Sequence, residues 1–294
     1  MKVRIGVGAG GSALTPDGLA DLVDGLVALR FDSLWLSEVL TQPVIDPLVG
    51  LSWAAARQPG LKLGTTMLLP GRNLVRVAKQ LATLDALSGG RLLVTLVPGL
   101  DRGPERSAIA SPAHRGSVME EALPVLRRLW AGEAVTHHGP TGDLDEVTLW
   151  PRPVQDPLEV WLGGMAPAAL DRCGRLSDGW LPSLCTPEEA AAGKVVIDAA
   201  AERAGRTISP EHFGISLGYS RTPLDDATMR AMSARAKGRD MSTLVPVGMS
   251  ALRAALEGFL AVGFSKFVVR PMGVPASWHD ELSTLADAVG DLQT

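Results

Sequence analysis

The sequence predicts an α/β fold, a closed (β/α)8 TIM barrel with insertions, on three observations. Short apolar or β-branched runs alternate with amphipathic helical patterns, which gives parallel strands joined by right-handed crossovers. The strand-like runs number about eight, the count a closed barrel requires. No linker and no second glycine fingerprint splits the 294 residues into the halves of an open doubly wound sheet, so 1–294 reads as one domain.

In chain order the strands are expected over 3–8, 33–37, 61–67, 91–97, 159–162, 179–181, 213–217 and 265–270. Helices are expected between and after them over 18–29, 47–57, 75–87, 115–130, 166–176, 187–204, 250–262 and 276–292. Thr15-Pro16-Asp17 marks the first helix start: a capping hydroxyl, a proline suited to the first helical position and an acid favoured by the helix dipole. In the third helix Leu74, Ala78, Leu81, Leu84 and Leu87 recur at three- and four-residue steps, and Gly89-Gly90 supplies the left-handed stop. Three segments break the rhythm, near 98–114, 132–156 and 220–248. The first and third follow strands, on the side where barrel enzymes place their chemistry. The middle one carries a G-P-T-G turn between alternating runs and predicts a β-hairpin.

Near the N-terminus Gly6, Gly8 and Gly11 spell G-x-G-x-x-G after an apolar run. A dinucleotide fingerprint needs its third glycine at a helix start, whereas here Ser12-Ala13-Leu14 intervene before the Thr15 cap. The motif therefore reads as a strand-to-helix turn.

Composition excludes several classes of function. A net charge of -4 with interspersed signs leaves no electrostatic footprint for nucleic acid or an anionic membrane. Cys173 and Cys185 lack companions at metal-ligand or disulfide-framework spacing. No secretory or membrane-spanning stretch is present, so a cytoplasmic protein is expected. His137 and His138 are adjacent on the expected hairpin and point to opposite faces, which argues against shared metal ligation.

Four groups of residues sit at strand ends, where chemistry is expected. Gly163-Gly164 follow EVWL and precede a helix starting near Pro167; their amides suit a phosphate at a helix N-terminus, or serve only a tight turn. Glu38 ends the second strand as a candidate acid–base group, or is an exposed loop acid; Thr65-Thr66 lie in the third strand. Arg270 ends the last strand, to meet an anionic substrate or to form a structural ion pair. Trp35, Trp161 and Trp180 read as core or pocket wall.

The stretches LKLGTTMLLPGRNLVRVAKQLATLDALSGGRLLVTLVPG, HRGSVMEEALPVLRRLW, PRPVQDPLEVWLGG, LDRCGRLSDGWLPS and GFLAVGFSKFVVRP together resemble the luciferase-like monooxygenase superfamily, and most of all its coenzyme F-420-dependent oxidoreductase branch. The resemblance implies a luciferase-like TIM barrel, homodimeric, with a flavin or deazaflavin at the strand carboxyl ends. It implies that Gly163, Gly164 and Met165 hold the cofactor phosphate, and that Thr65 and Thr66 lie where relatives carry a non-prolyl cis peptide against the ring. It also implies ring contacts from Pro98 and Gly99, although VPGLDRGPE departs from the longer glycine-rich loop of relatives. Val39 stands where relatives place a histidine after the acid matched by Glu38, so the proton donor is open. The function implied is hydride transfer between F-420 and a small organic substrate. The alternatives are an FMN-dependent monooxygenase and a non-catalytic ligand-binding barrel, for which Val39 and the shortened loop would be expected features.

Overall fold

A computed structural model describes residues 1–9, 14–99, 103–111, 114–236 and 238–294. The chain begins β1 (Arg4–Gly8), α1 (Pro16–Ala28), β2 (Ser33–Ser37), α2 (Pro47–Arg57). It continues β3 (Lys62–Leu68), α3 (Leu74–Ser88), β4 (Leu92–Val97), α4 (Gly103–Ile109), α5 (Arg115–Ala131). A hairpin of β5 (Val135–His137) and β6 (Leu144–Val147) precedes β7 (Val160–Leu162), α6 (Pro167–Leu176), β8 (Gly179–Trp180) and α7 (Pro187–Arg203). The last part holds β9 (Gly214–Tyr219), α8 (Asp226–Arg235), α9 (Met249–Ala261), β10 (Lys266–Pro271) and α10 (Trp278–Val289).

Eight strands pair in the order β8-β7-β4-β3-β2-β1-β10-β9, every pair parallel. Parallel bridges Trp180↔Phe213 and Ser183↔Ser216 join the two ends, so the sheet closes into the expected barrel. Thr15 caps α1 by accepting from the Gly18 amide, with Pro16 opening the helix, as the sequence indicated. Gly11 lies outside the described residues. Helices α4 and α8 are additional to the sequence expectation and fall inside the first and third insertions. The middle insertion is the predicted antiparallel hairpin.

Strand side chains alternate between two layers. Ile5, Val7, Leu34, Leu36 and Leu63 belong to the main core under the helices. Trp35, Leu181 and Val268, with Leu93 and Trp161, form a separate cluster inside the barrel. Here two glycines find their reason. A Cβ on Gly6 would lie 2.8 Å from the Trp35 indole, and one on Gly64 would lie 2.2 Å from it. The indole thus occupies the space those neighbouring strands leave, its N–H donating to Ser33 Oγ at 2.9 Å. Gly6 therefore serves packing. Gly64→Ala is expected to cost roughly 3 kcal/mol, at the upper end for overpacking; chemical denaturation of the variant checks this.

Glu121 ties the hairpin to α5. Its carboxylate accepts from the Thr141 amide (3.1 Å), Thr141 Oγ1 (2.6 Å) and His137 Nε2 (2.7 Å). Burial pushes this carboxyl up, but the hydrogen bonds outweigh it and its pKa lies below the usual value. A depressed carboxyl adds stability that is present above the unfolded-state pKa and is lost as pH falls through the folded-state one. Glu121→Gln should therefore lower stability at neutral pH and flatten its decline on acidification, as measured by urea unfolding across pH 3–7, a span of roughly 4 units around ordinary carboxylate titration.

Candidate active site at the barrel mouth

A cavity of about 100 Å³ opens at the N-terminal ends of the strands, lined by Arg4, Ser33, Trp35, Lys62, Trp161 and Lys266 among others. Its charges largely satisfy one another: Asp32 pairs with Arg4 (3.4 Å) and Lys62 (2.9 Å). Chemistry in this fold belongs to the opposite end.

At that opposite end, α6 begins without a side-chain cap. Ala166 occupies the N-cap and Pro167 the first helical position. Six other helices are capped by Thr15, Asp46, Asn73, Thr186, Asp225 and Ser277. The amides of Gly164, Met165 and Ala166 make no hydrogen bond among the described residues. Gly164 is exposed with φ +105°, a conformation that suits glycine, while Gly163 is buried against Val97 and Leu181. Trp180 Nε1 donates to the Gly164 carbonyl at 3.0 Å and fixes the turn. Donors fixed at a positive helix pole suit an anion. Any substitution at Gly164 strains the backbone in itself, so Ala166 is the better position for testing the pole.

Arg270 points inward from β10, where Nε donates to Ser216 Oγ at 3.3 Å. Burial lowers its pKa from the ordinary guanidinium value. It forms no ion pair among the described residues. Gly8, the second glycine of the N-terminal motif, makes room for it: a Cβ there would lie 3.1 Å from Arg270 Cβ. Of the two readings of Arg270, the structural ion pair is therefore not the one observed.

The other expected residues separate. Glu38 is an enclosed carboxylate engaged on both oxygens, one by the Leu68 amide at 2.8 Å and one by Arg72. It is not an exposed loop acid, and it braces β2 against β3. Thr65 is fully buried in the layer beneath the helices, because Gly64 faces Trp35 inside the barrel and strand alternation turns Thr65 outward. This corrects its placement in a ring site. Thr66 faces inward and is partly exposed. The cis peptides among the described residues are Trp150–Pro151 and Asp156–Pro157, so the bond between Thr65 and Thr66 is trans, which corrects the expectation of a cis bond. Arg115 Nη1 donates to the carbonyls of Pro98 (3.1 Å) and Gly99 (2.9 Å), so those oxygens brace the fourth loop.

Ser216, Thr95, Ala166 and Arg72 are mouth residues the sequence reading did not single out. Thr95 Oγ1 is buried without a hydrogen-bond partner. Ala166 had a legible signal, since Pro167 stands at a helix start with no Ser, Thr, Asp or Asn before it. Burial pushes the Cys173 and Cys185 thiols up to about 12, which makes both poor nucleophiles. No cluster able to hold a metal ion and no membrane-crossing helix occurs among the described residues.

Fold and mouth together define a parallel β/α barrel whose strand carboxyl ends offer free amides and an unpaired guanidinium. The family model described as luciferase-like monooxygenase matches residues 2–283, and the chain belongs to that family. An F-420-dependent glucose-6-phosphate dehydrogenase of Nakamurella multipartita is 30% identical over 205 residues, covering 63% of this chain and 59% of that protein. The match thus spans less than two thirds of that relative. An F-420-dependent secondary alcohol dehydrogenase, solved with an F-420–acetone adduct, superposes with a TM-score of 0.82 at 17% identity over the full length of both chains. An F-420-dependent tetrahydromethanopterin reductase from Methanopyrus kandleri gives 0.81 at 17% identity, again over both full lengths. These two likenesses concern the fold.

Proposed function

We propose that this protein is an oxidoreductase that binds coenzyme F-420 at the C-terminal mouth and exchanges hydride with a small organic substrate. The observation that carries the reading is the uncapped α6 N-terminus, with the free amides of Gly164, Met165 and Ala166 presented to an anionic tail. When bound, the deazaflavin supplies the hydride chemistry. The chain's own groups anchor, orient and exclude water. Gly163 sets the floor of the phosphate turn, and Trp180 fixes the carbonyl of Gly164. Thr66 and the buried Thr95 hydroxyl provide polar contacts facing the barrel axis. Pro98 and Gly99 belong to the wall beside them. Arg270 faces the substrate, where its N–H groups meet an anionic or carbonyl oxygen. Glu38, committed to Arg72 and the Leu68 amide, acts as a positioning residue that holds the top of β3.

The F-420-dependent relatives favour the deazaflavin over FMN, whose phosphate the same amides would suit. Fluorescence titration with each cofactor tests the reading, with Trp180 as reporter of the Gly164 turn. Saturable quenching by F-420 at lower concentration than by FMN is expected. A preference for FMN would shift the reading to a flavin monooxygenase, and no response to either would leave a non-catalytic barrel. Pairing into a homodimer and a cytoplasmic setting belong to the same proposal; exposed Val49 and Trp53 on α2 favour the pairing, which the mass in solution checks.

A further inference from the structure

The geometry points to an oxyanion site, for a phosphate or carboxylate group, in the corner between Arg172 of α6 and the first turn of α5. The Arg172 side chain is only 8% exposed. It makes no hydrogen bond among the described residues, and its Nε is buried without a hydrogen-bond partner. The neighbouring acid, Glu120, brings Oε1 to 3.3 Å from Nε, outside hydrogen-bonding alignment. That same oxygen lies 3.2 Å from Arg175 Nη2, and the Glu120 side chain is 44% exposed. One solvated carboxylate shared by two guanidiniums screens a buried cation poorly.

The guanidinium is pressed against another positive feature. A Cβ on Gly116 would stand 2.8 Å from Arg172 Nη2, so the absent side chain lets the cation lie on the first turn of α5. This 17-residue helix has no side-chain cap, its N-cap being His114. The amides of Gly116 and Ser117 have no acceptor among the described residues. A buried cation facing the positive pole of a long helix is unfavourable until something negative lies between them. An oxyanion there accepts from Arg172 and from two fixed amides at once.

Such a group has two possible sources, a free anion or the anionic part of a molecule already bound at the mouth. Arg172 follows Pro167 by five residues, about 7.5 Å along α6 at ~1.5 Å per residue, within reach of an extended tail from that rim. The inference does not depend on the cofactor reading, since inorganic phosphate alone probes it.

The test is thermal unfolding of the full chain with increasing phosphate, at ionic strength held constant with chloride. The unfolding midpoint of the unaltered protein should climb and saturate in the millimolar range. Arg172→Met should lose that response, a fall of at least about tenfold in apparent affinity, and Arg172→Lys serves as a second variant with a weaker but measurable response. Glu120→Gln, which removes the competing acid, should shift saturation to about threefold lower phosphate. The same comparison is made in the Ala166→Asp background, where the neighbouring α6 pole no longer takes an anion, so that a response lost with Arg172 belongs to this corner. If saturating F-420 abolishes the phosphate response, the corner takes the cofactor's own anion; if the response persists, it takes a free one. An unaltered protein that shows no saturable climb, or an Arg172→Met variant that still climbs normally in the Ala166→Asp background, overturns the site.

Discussion

Ala166→Asp is expected to make the protein more stable and to abolish cofactor binding. At the N-cap of α6 an aspartate supplies the acceptor this helix lacks, worth about 1 kcal/mol relative to alanine, with a further contribution from the helix dipole. The Ala166 backbone already has the extended geometry of a cap (φ -68°, ψ 146°), so the substitution needs no rearrangement. The same carboxylate sits at the pole proposed for the cofactor phosphate, replacing attraction by repulsion. Each charge-assisted hydrogen bond lost there is worth roughly 1.5–3 kcal/mol, so at least a ~100-fold loss of affinity is expected. Ala166→Ser separates the effects: it caps the helix without charge, and should raise stability while keeping most of the affinity. Denaturant midpoints and cofactor titration on the three proteins check both signs. An Ala166→Asp variant that binds F-420 normally would remove the phosphate from this turn.

Arg270→Met should likewise separate stability from activity. The guanidinium lies inside the barrel with Ser216 Oγ as its hydrogen-bond partner, and burial disfavours its charged form. Exchanging a half-buried cation that lacks an ion pair for a flexible apolar side chain of similar length should stabilise the folded chain by up to about 1 kcal/mol. Turnover should suffer if Arg270 meets the substrate as proposed: losing a charged donor costs about 1.5–3 kcal/mol, or some 10–100-fold in kcat/KM. Arg270→Lys should recover little, because a point charge does not reproduce the planar fork. A variant that is destabilised and fully active would show that Arg270 is structural.

Every barrel strand was legible because its apolar run is bounded by turn residues, and a run such as SLWLS or KFVVR needs no long-range information to declare itself. Helix α4 was not legible. Its Glu105 accepts from the amides of Leu40 and Thr41 and from Thr41 Oγ1, partners more than sixty residues away. Thr65 and Thr66 show the limit of strand phase. In KLGTTML both faces are buried and no alternation marks the inside; Trp35 on the adjacent strand decides it by taking the space over Gly64. Glu38 was placed correctly at the end of β2, but its partner Arg72 lies 34 residues on and only the fold brings them together. The Gly163-Gly164 turn was the most legible part of the candidate site, because a strand end, two glycines and a helical proline are all local signals.

The seam of the cylinder bears on how the molecule breathes. Strand β8 is two residues long, and its junction with β9 rests on isolated bridges instead of a continuous ladder. Every other junction in the ring is a run of paired residues. This stave should part first, and amide hydrogens of Trp180 and Ser216, whose acceptors lie across the gap on His212 and Pro182, should trade with deuterium ahead of those in β3.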